Sequence, residues 1–403
     1  MNNNHHPKRV CMIAMSSYPI DPRIRRQAEA LDEAGYEVDI LCRNSGDQPS
    51  KEKFGNVTAY RIMNAPRQDS KIKYFMVSII FLFVAFFRLV FLSIKRKYLV
   101  IQVHNLPDYL IFAGLLHKIF GAKLILDIHD PSVDLFDEKW PGKKNKILKY
   151  FVKKLEQYSC KVADHLITVT KTCKERLIER GTQPDKITVI FNSANESVFK
   201  YNHTRNFQKI ERGIKLCYHG SMAERFGLDI AIKAMQLILE EIPDSRFDVY
   251  GKIPNSYGTH LKELIVKCNL ENNVYLNGLI KRELIPEVLR NSDIGIVPHL
   301  NSEYANLALP TKAFEYIASG LPLISTYLSD LAQTFGDKSI TFCQGNSAQD
   351  LAEKVIFLAK DPDTRKLKVK NAYKELRKIS GTVMAEKYVK LINLFRIRNN
   401  KTS

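Results

Sequence analysis

The sequence predicts an α/β protein with two doubly wound parallel-sheet domains, and three observations support this prediction. Short apolar strands alternate with amphipathic helices along most of the chain, as in parallel sheets covered by helices. A polar stretch at residues 200–213 interrupts this order, which resumes at Ile214. The 403 residues exceed the roughly 100–200 residues of a usual single domain. We expect domains at residues 1–200 and 201–381, and a closing helix at residues 382–403.

The first domain opens with a strand–helix–strand unit. Residues 9–15 (RVCMIAM) form an apolar strand, and Asp21 followed by Pro22 marks the start of an amphipathic helix. Gly35 ends this helix before a second strand at residues 37–42. The same alternation predicts the remaining strands of this domain at residues 57–62, 98–103, 123–128, 165–169 and 186–190.

The second domain repeats the pattern. Its first strand runs from Ile214 to Tyr218 and leads into a loop at residues 219–227. Further along, a short helix at residues 311–319 precedes the last predicted strand. The later strands are predicted at residues 246–250, 274–276, 293–297 and 321–325.

The composition excludes several classes of protein. An apolar fraction of 45% with 26% charged residues is that of a globular protein. The seven cysteines contain no C-x-x-C pair, which argues against a zinc cluster and a secreted disulfide framework and fits a reducing compartment. The polar N-terminus predicts no signal peptide. The net charge of +18 suits nucleic acid, an anionic membrane or a phosphorylated substrate.

Residues 74–94 are apolar apart from Arg88 and two serines. Their 21 residues are long enough to cross a bilayer, for which about 20 suffice. Strands before and after the segment should share one sheet, however, and a spanning helix would separate them. We therefore expect a helix that packs on the sheet and lays one face on the bilayer; the alternative is a buried helix with a solvated lysine collar.

Basic residues flank this segment, and a second basic run at residues 139–154 is interleaved with apolar residues at helical spacing. Bases beside apolar faces favour an anionic lipid surface. Nucleic acid is disfavoured, because the aromatic residues lie in the apolar run and do not alternate with bases. We expect a cytoplasmic protein, peripheral on the inner face of the cell membrane. Its predicted membrane contacts are Lys71, Lys73, Lys95, Arg96, Lys97, Lys143 and Lys144.

Two segments of the second domain suit an anionic ligand. Pro310 precedes a helix whose first amides, on Thr311 and Lys312, are free to bind an anion. Glu315 lies one turn further and can accept two hydrogen bonds from a ribose diol; alternatively, it is an ordinary acid of the first turn.

The loop at residues 219–227 contains Gly220, Ser221 and Arg225. It lies at the carboxyl end of a strand, where doubly wound sheets bind ligands, and Arg225 can hold a diphosphate with two hydrogen bonds. The alternative is a solvated arginine in a glycine turn. The chain contains neither a G-x-G-x-x-G nor a G-K-[ST] loop, so neither a dinucleotide oxidoreductase nor a P-loop enzyme is supported.

Two histidines follow strands of the first domain. His129 follows the strand at residues 123–128, and His104 follows the strand at residues 98–103. Both should lie at the ligand-binding edge of the sheet, where they could stabilise charge or orient a hydroxyl. The alternative for either is a histidine bonded to a neighbouring backbone group.

Five segments together carry a resemblance to a known family. They are SSYPIDPRIRRQAEALDEAGYEVDIL, LILDIHD, VIFNSANESVF, YHGSMAERFGLD and ALPTKAFEYIASGLPLIS. The chain resembles, over residues 8–396, the retaining glycosyltransferases of family 4, which have the GT-B fold of two Rossmann-like domains facing a cleft. The last of the five segments is the most specific match.

The resemblance implies roles for named residues. The second domain would bind a nucleotide-diphosphate sugar through Gly220, Ser221, Arg225, Pro310, Thr311, Lys312 and Glu315. The first domain would bind the acceptor through Ser17, Tyr18, Asp21, Arg23 and His104. His129 would lie near the transferred sugar and act in catalysis with Arg225 and Glu315. The last helix would cross back onto the first domain.

The implied reaction moves a hexosyl or N-acetylhexosaminyl group, with retention, to a lipid-linked glycan acceptor in bacterial surface polysaccharide biosynthesis. Neither a metal nor another cofactor is expected. The chain departs from the family pattern at Leu307, where a first glutamate is usual, and at Ser221 and Phe226, where an arginine and a lysine are common. The missing glutamate suggests one alternative, an inactive scaffold or binding subunit of the same fold. A second alternative is a nucleotide-sugar epimerase.

Overall fold

The structure, a computed structural model, describes residues 8–64, 71–140, 146–307 and 309–401. These residues form two compact units. The first unit comprises the chain up to Phe191 and from Met384 onward, and the second comprises Asn192–Val383. The sequence placed the corresponding limits after residues 200 and 381. Each unit is built around its own largely parallel sheet, as predicted.

The sheet of the first unit has eight strands in the order β3-β4-β2-β1-β5-β6-β7-β8. All pairs are parallel except β3 with β4. The short, charged edge strand β3 is absent from the sequence prediction, because it lacks an apolar alternation of its own. The strands are β1 (Arg9–Ala14), β2 (Glu37–Asn44), β3 (Lys51–Phe54), β4 (Val57–Asn64), β5 (Val100–His104), β6 (Lys123–Ile128), β7 (His165–Thr168) and β8 (Ile187–Val189).

Helices connect these strands. The first begins as predicted, with Pro22 in its first turn and Asp21 accepting a hydrogen bond from the amide of Arg23. A 3₁₀ helix covers Asp108–Gly114. The α-helices are α1 (Pro22–Glu33), α2 (Lys71–Ser93), α3 (Leu115–Ile119), α4 (Ser132–Lys139), α5 (Lys146–Val162) and α6 (Lys171–Glu179).

Helix α2 connects β4 to β5, which belong to the same sheet. It packs on that sheet through buried Phe81, Ala85 and Leu89, as predicted. Within the described residues, one helix (Lys73–Ser93) is long and apolar enough to cross a membrane. Its attachment to one sheet at both ends favours packing over spanning.

The structure changes part of the predicted set of membrane contacts. Arg96 forms an ion pair with buried Asp39, with both oxygens 2.7 Å from Nη1, so its side chain has a structural contact, and its lipid contact stays a prediction. Lys95 and Lys97 are exposed, as is Lys73. Two predicted contacts, Lys143 and Lys144, lie outside the described residues, as does the side chain of Lys71.

The last helix, α14 (Gly381–Lys401), packs on the first unit from Met384 onward. Tyr36 Oη donates a 2.5 Å hydrogen bond to Asn393 of this helix. Tyr388 Oη, in the same helix, donates a 2.6 Å bond to Gln102 in β5. The helix therefore contacts the central strand β5 and the residue before β2 in the first unit.

The second unit has a six-stranded parallel sheet in the order β11-β10-β9-β12-β13-β14. Its strands are β9 (Lys215–His219), β10 (Arg246–Tyr250), β11 (Val274–Gly278), β12 (Ile294–Val297), β13 (Leu323–Thr326) and β14 (Thr341–Cys343). Its helices are α7 (Leu228–Glu241), α8 (Asn255–Lys267), α9 (Ile285–Arg290), α10 (Thr311–Ala318), α11 (Ser329–Phe335), α12 (Ala348–Lys360) and α13 (Pro362–Arg377). The strand order places β9 and β12 at the centre, so the loops that follow them lie side by side.

Candidate functional site

The loop after β9 and the first turn of α10 meet in the second unit. Gly220 has φ +125°, and a Cβ on it would lie 3.2 Å from Cε of Lys312. Gly227, with φ +62°, comes so close to the carbonyl of Pro298 that a Cβ would lie 2.0 Å from its oxygen. Glycine is therefore required at both positions for the loop to close on α10 and on the segment after β12.

Lys312 is a buried cation held on aromatic rings. Its Nζ lies 3.7 Å from the ring centroid of Tyr218 and 5.0 Å from that of Phe226. Burial lowers its pKa to about 7, and the charge of Glu315 acts in the opposite direction. An anion that arrives at Lys312 would stabilise its charged form, so the residue is suited to bind one.

Arg225 is exposed and lies over the same phenylalanine. Its guanidinium carbon is 4.9 Å from the ring centroid of Phe226, and no ion pair to it is formed within the part of the chain that the structure describes. The ring of Phe226 also contacts His299, at 4.9 Å between centroids. Phe226 stands where the family commonly has a lysine. Its ring therefore lies against two cations, Arg225 and Lys312.

Glu315 lies one turn into α10 and contacts His219. His219 Nε2 is 3.3 Å from Oε2 of Glu315. Burial, together with the charge of Lys312, lowers the pKa of His219 to about 3, so the imidazole is neutral and this contact is not an ion pair. The backbone amide of His219 donates to the hydroxyl of Tyr316 at 3.2 Å, which fixes the end of β9 against α10.

The other predicted donor-site residues surround this pair. Helix α10 starts at Thr311, which is exposed, and Pro310 precedes it with extended backbone. Ser221 is exposed, and its carbonyl accepts a 2.6 Å hydrogen bond from Tyr218. The structure thus brings all the predicted residues of the second domain to one edge of the β9–β12 sheet.

A second cluster lies in the first unit, at the ends of β5 and β6. His104 Nδ1 is 3.2 Å from Oδ2 of Asp127 and 3.3 Å from Nε2 of His129. The two imidazole rings are parallel, with an interplanar angle of 3°. All three side chains are buried.

The carboxylate of Asp127 organises this cluster. Gln27 Nε2 and Gln102 Nε2 donate to its Oδ2 at 2.7 and 3.1 Å. Burial alone would raise the pKa of Asp127, but His129, His104 and Gln27 outweigh it and lower the pKa to about 2. Burial lowers the pKa of His129 to about 4 despite the neighbouring carboxylate. A buried anion thus lies beside a neutral imidazole.

A small pocket of about 90 Å³ opens beside the histidines. His104, His129, Asp21 and Arg23 are among its lining residues. Asp21 accepts from Arg23 Nη2 at 2.7 Å; burial opposes ionisation of Asp21, but this pairing holds its pKa well below its usual range.

Two predicted acceptor residues have other contacts. The carbonyl of Ser17 accepts from the amide of Asp21. Tyr18 is buried, and its ring packs against Phe54 at 5.4 Å. The ring of Tyr18 therefore supports the β3–β4 edge and is not among the residues that line the pocket.

His104, Asp127 and His129 are also a group of ligand-type side chains, with candidate metal-binding atoms within 4.8 Å of one another. Two imidazoles and a carboxylate suit zinc. Hydrogen bonds from two glutamine amides hold Oδ2 of the carboxylate. The absence of a metal requirement stays a prediction.

Several site residues are missing from the sequence predictions: His219, His299, Asp127, Gln27 and Gln102. For two of these residues, the sequence itself contains an indication of their role. Gln102 and Asp127 are polar residues inside strands that are otherwise apolar, and a buried polar side chain needs a partner. The remaining contacts depend on tertiary structure.

Two family models match the chain. The model of Glycosyltransferase Family 4 matches residues 23–197, and the model of Glycosyl transferases group 1 matches residues 200–375. Together they cover most of the chain, one model on each unit.

Curated relatives are distant. The chitobiosyldiphosphodolichol beta-mannosyltransferase of Candida glabrata is 24% identical over 93% of this chain and 88% of its own length. The GPI3 subunit of the phosphatidylinositol N-acetylglucosaminyltransferase of Saccharomyces cerevisiae is 22% identical over 52% of this chain. The chain spans 46% of that subunit's length.

Solved structures share the fold. The sucrose-phosphate synthase of Thermosynechococcus elongatus superposes with a TM-score of 0.75 at 18% identity, over 96% of this chain and 98% of its own. HepE of Anabaena, solved in complex with UDP, gives 0.71 at 13% identity, over 96% and 99%. Both likenesses establish the architecture alone.

The low pKa of Lys312 predicts pH-dependent binding of a diphosphate. The ammonium is charged below a pH of about 7 and loses its proton above it, so affinity for UDP or GDP should fall about three- to tenfold between roughly pH 6.5 and 8.5. Lys312→Met should bind more weakly with a flatter pH profile, whereas Lys233→Met, at an exposed position of α7, should behave as wild type. Isothermal titration calorimetry measures both; a wild-type affinity independent of pH would contradict the assignment.

Proposed function

The chain belongs to the family 4 glycosyltransferases of the GT-B fold, and on that premise we propose that it moves a sugar from a nucleotide-diphosphate sugar to a lipid-linked glycan acceptor with retention of anomeric configuration. One observation carries the donor assignment. Two cations, Arg225 and Lys312, share the ring of Phe226 beside Glu315 at the start of α10.

The assignment of the donor's diphosphate follows from the positive charges of Lys312 and Arg225. A leaving nucleoside diphosphate gains negative charge in the transition state, and fixed cations and amides stabilise that charge most where water is excluded. Lys312 is buried and Arg225 is exposed, so the first holds the diphosphate from within and the second covers it. The free amides at Thr311 and Lys312 add the positive end of the α10 dipole.

Glu315 is assigned to the nucleoside. A carboxylate can accept hydrogen bonds from two vicinal hydroxyls, and Glu315 is one turn from the proposed diphosphate site. His219 contacts one of its oxygens, which limits the rotation of the side chain. We assign ribose binding to Glu315 and its positioning to His219.

The first unit is assigned to the sugar and acceptor. His129 and His104 line the pocket with Asp21 and Arg23, and all four have polar groups suited to hydroxyls. We assign His129 to the transferred sugar and the others to the acceptor. Two cations already face the diphosphate, so we propose that transfer needs no metal.

The lipid-linked acceptor is supported by the relatives. The name of the Candida glabrata enzyme specifies a diphosphodolichol substrate, and that of the yeast subunit specifies phosphatidylinositol. A glycan on such a carrier is presented at the bilayer surface, where the enzyme must dock.

The first unit has a face suited to docking, which we call the α2–α5 face. Both helices contact the 3₁₀ helix Asp108–Gly114, so they are neighbours on one side of the sheet. Exposed apolar side chains line the face: Phe75, Met76, Ile80, Phe83, Phe87, Phe91, Ile147, Leu148, Tyr150 and Phe151. Exposed lysines accompany them, including Lys95, Lys97, Lys153 and Lys154. We propose that this face lies on the anionic inner leaflet of the cell membrane.

Replacing Glu315 tests the donor assignment. Glu315→Ala should lower kcat/KM for the nucleotide sugar by about 100-fold or more, because the ribose loses a charged acceptor. Glu303→Ala, at an exposed position, should have no effect. A panel of nucleotide sugars, followed by release of nucleoside diphosphate, supplies the assay. Unchanged activity of Glu315→Ala would overturn the site, and failure of wild type to turn over any donor would favour a non-catalytic binding subunit.

The anomeric configuration of the product tests the stereochemistry. We expect the new glycosidic bond to have the configuration of the donor, as family resemblance implies. The Candida glabrata relative is named a beta-mannosyltransferase, so inversion from an α-linked donor is the specific competing outcome. The one-bond coupling constant between C1 and H1 of the transferred sugar separates the two, for a mannosyl group as well as a glucosyl group.

A charged residue within the α2–α5 face should weaken membrane binding. Phe87, 66% exposed, would be transferred into the lipid interface, so Phe87→Glu should lower affinity for vesicles about tenfold or more. Leu279→Glu alters an apolar residue of the second unit that is 80% exposed and should leave binding unchanged. Co-sedimentation with phosphatidylglycerol-containing vesicles, at low and high salt, measures this. Equal effects of both variants, or no binding by wild type, would contradict docking by this face.

A further inference from the structure

A chain of hydrogen bonds connects the last helix to the histidine pair of the first unit. Tyr388 Oη donates to Gln102 Oε1 at 2.6 Å. Gln102 Nε2 donates to Asp127 Oδ2 at 3.1 Å and also to Gln27 Oε1. Asp127 then contacts His104, and His104 contacts His129. All the residues that form these hydrogen bonds lie in the first unit.

These hydrogen bonds run in one donor-to-acceptor direction, from Tyr388 to Asp127. Burial raises the pKa of Tyr388 well above its usual value, so its hydroxyl keeps the proton that it donates. A glutamine amide has one accepting and one donating end; with Oε1 facing Tyr388, the Nε2 end of Gln102 faces the carboxylate. The tyrosine and Asp127 thus favour the same orientation of the amide.

The carboxylate determines where the next protons lie. An ionised carboxylate only accepts hydrogen bonds, so His104 carries its proton on Nδ1, 3.2 Å from Asp127 Oδ2. That N–H also faces His129 Nε2 at 3.3 Å. We assign this nitrogen as the acceptor, because its distance to Asp127 Oδ2, 3.6 Å, is longer than that of His104 Nδ1. A neutral His129 consequently carries its proton on Nδ1.

Two ring nitrogens are left for a ligand. His129 Nδ1 and His104 Nε2 are buried, and neither has a hydrogen-bond partner among the residues that the structure describes. By the assignment above, the first is a donor, and the second is an acceptor in the Nδ1–H tautomer of His104. Both histidines line the 90 Å³ pocket, which suits a hydroxyl or hydroxymethyl group.

We propose that Tyr388 is a positioning residue that, through Gln102 and Asp127, sets the tautomers of His104 and His129, so that the pair offers an N–H donor and an acceptor to a substrate hydroxyl. The identity of this group as a sugar hydroxyl rests on the proposed function. The tautomer assignment needs no substrate: it rests on the hydrogen-bond geometry, with Asp127 ionised and His129 neutral.

Two buried tyrosines allow a matched test. Tyr388→Phe removes the hydroxyl that begins the chain. Tyr36→Phe removes a hydroxyl that bonds to Asn393 of the same helix but has no link to the histidines. The full-length protein is labelled with ¹⁵N-histidine, long-range ¹H–¹⁵N spectra identify the tautomers, and His104→Gln and His129→Gln assign the signals.

We expect wild type and Tyr36→Phe to show His104 and His129 as Nδ1–H tautomers, and Tyr388→Phe to show a mixture. With an active donor and acceptor, Tyr388→Phe should lower kcat about tenfold without changing KM for the nucleotide sugar, and Tyr36→Phe should change neither. An Nε2–H tautomer of His129 in wild type would overturn the proposal without any variant having to fold. Equal kcat losses in both tyrosine variants would do the same. Because the spectra need no substrate, a missing activity would count only against the proposed function.

Discussion

The constraint on which both candidate sites depend is the burial of charge at the carboxyl ends of parallel strands. Asp127 and Lys312 are buried in the first and second units, and an uncompensated buried charge costs several kcal/mol. The first unit compensates with glutamine amides and a histidine around the carboxylate. The second compensates with the faces of two aromatic rings, which are weaker partners, and with the charge of Glu315. This difference explains why Asp127 stays ionised while the pKa of Lys312 falls to about 7.

The same constraint shapes the backbone around each site. Gly220 and Gly227 allow the loop after β9 to approach Lys312 and the carbonyl of Pro298 more closely than a side chain would permit. In the first unit, the interiors of strands β5 and β6 accept the polar residues Gln102 and Asp127, because Gln102 donates a hydrogen bond to Asp127. Each of these residues therefore depends on a tertiary partner as well as on its local sequence. A substitution in either site should affect the partner as well as the residue replaced.

Much of the fold was accessible from the sequence because it depends on local pattern. Two predicted strands, residues 123–128 and 246–250, have the observed limits, since each begins at a basic residue and its interior positions are mostly apolar. β3 was missed because its pairing with β4, and not its own composition, makes it a strand. Site residues divide in the same way. Lys312 and Glu315 follow from the start of a helix, whereas His219 acquires its role from a contact with α10 that no spacing in the sequence specifies.

Two of the three departures from the family pattern, Ser221 and Phe226, fit one physical account. Ser221 and Phe226 stand where the family commonly has an arginine and a lysine, so the loop keeps one basic side chain, Arg225. A phenylalanine cannot neutralise a phosphate, but its ring faces Arg225 and Lys312 at about 5 Å and holds both near the same point. In the proposed donor site, the loop would contribute position more than charge, and the diphosphate would depend on a cation whose protonation varies near neutral pH. A donor site of this kind would gain most of its affinity when the arriving diphosphate raises the pKa of Lys312, which couples binding to proton uptake.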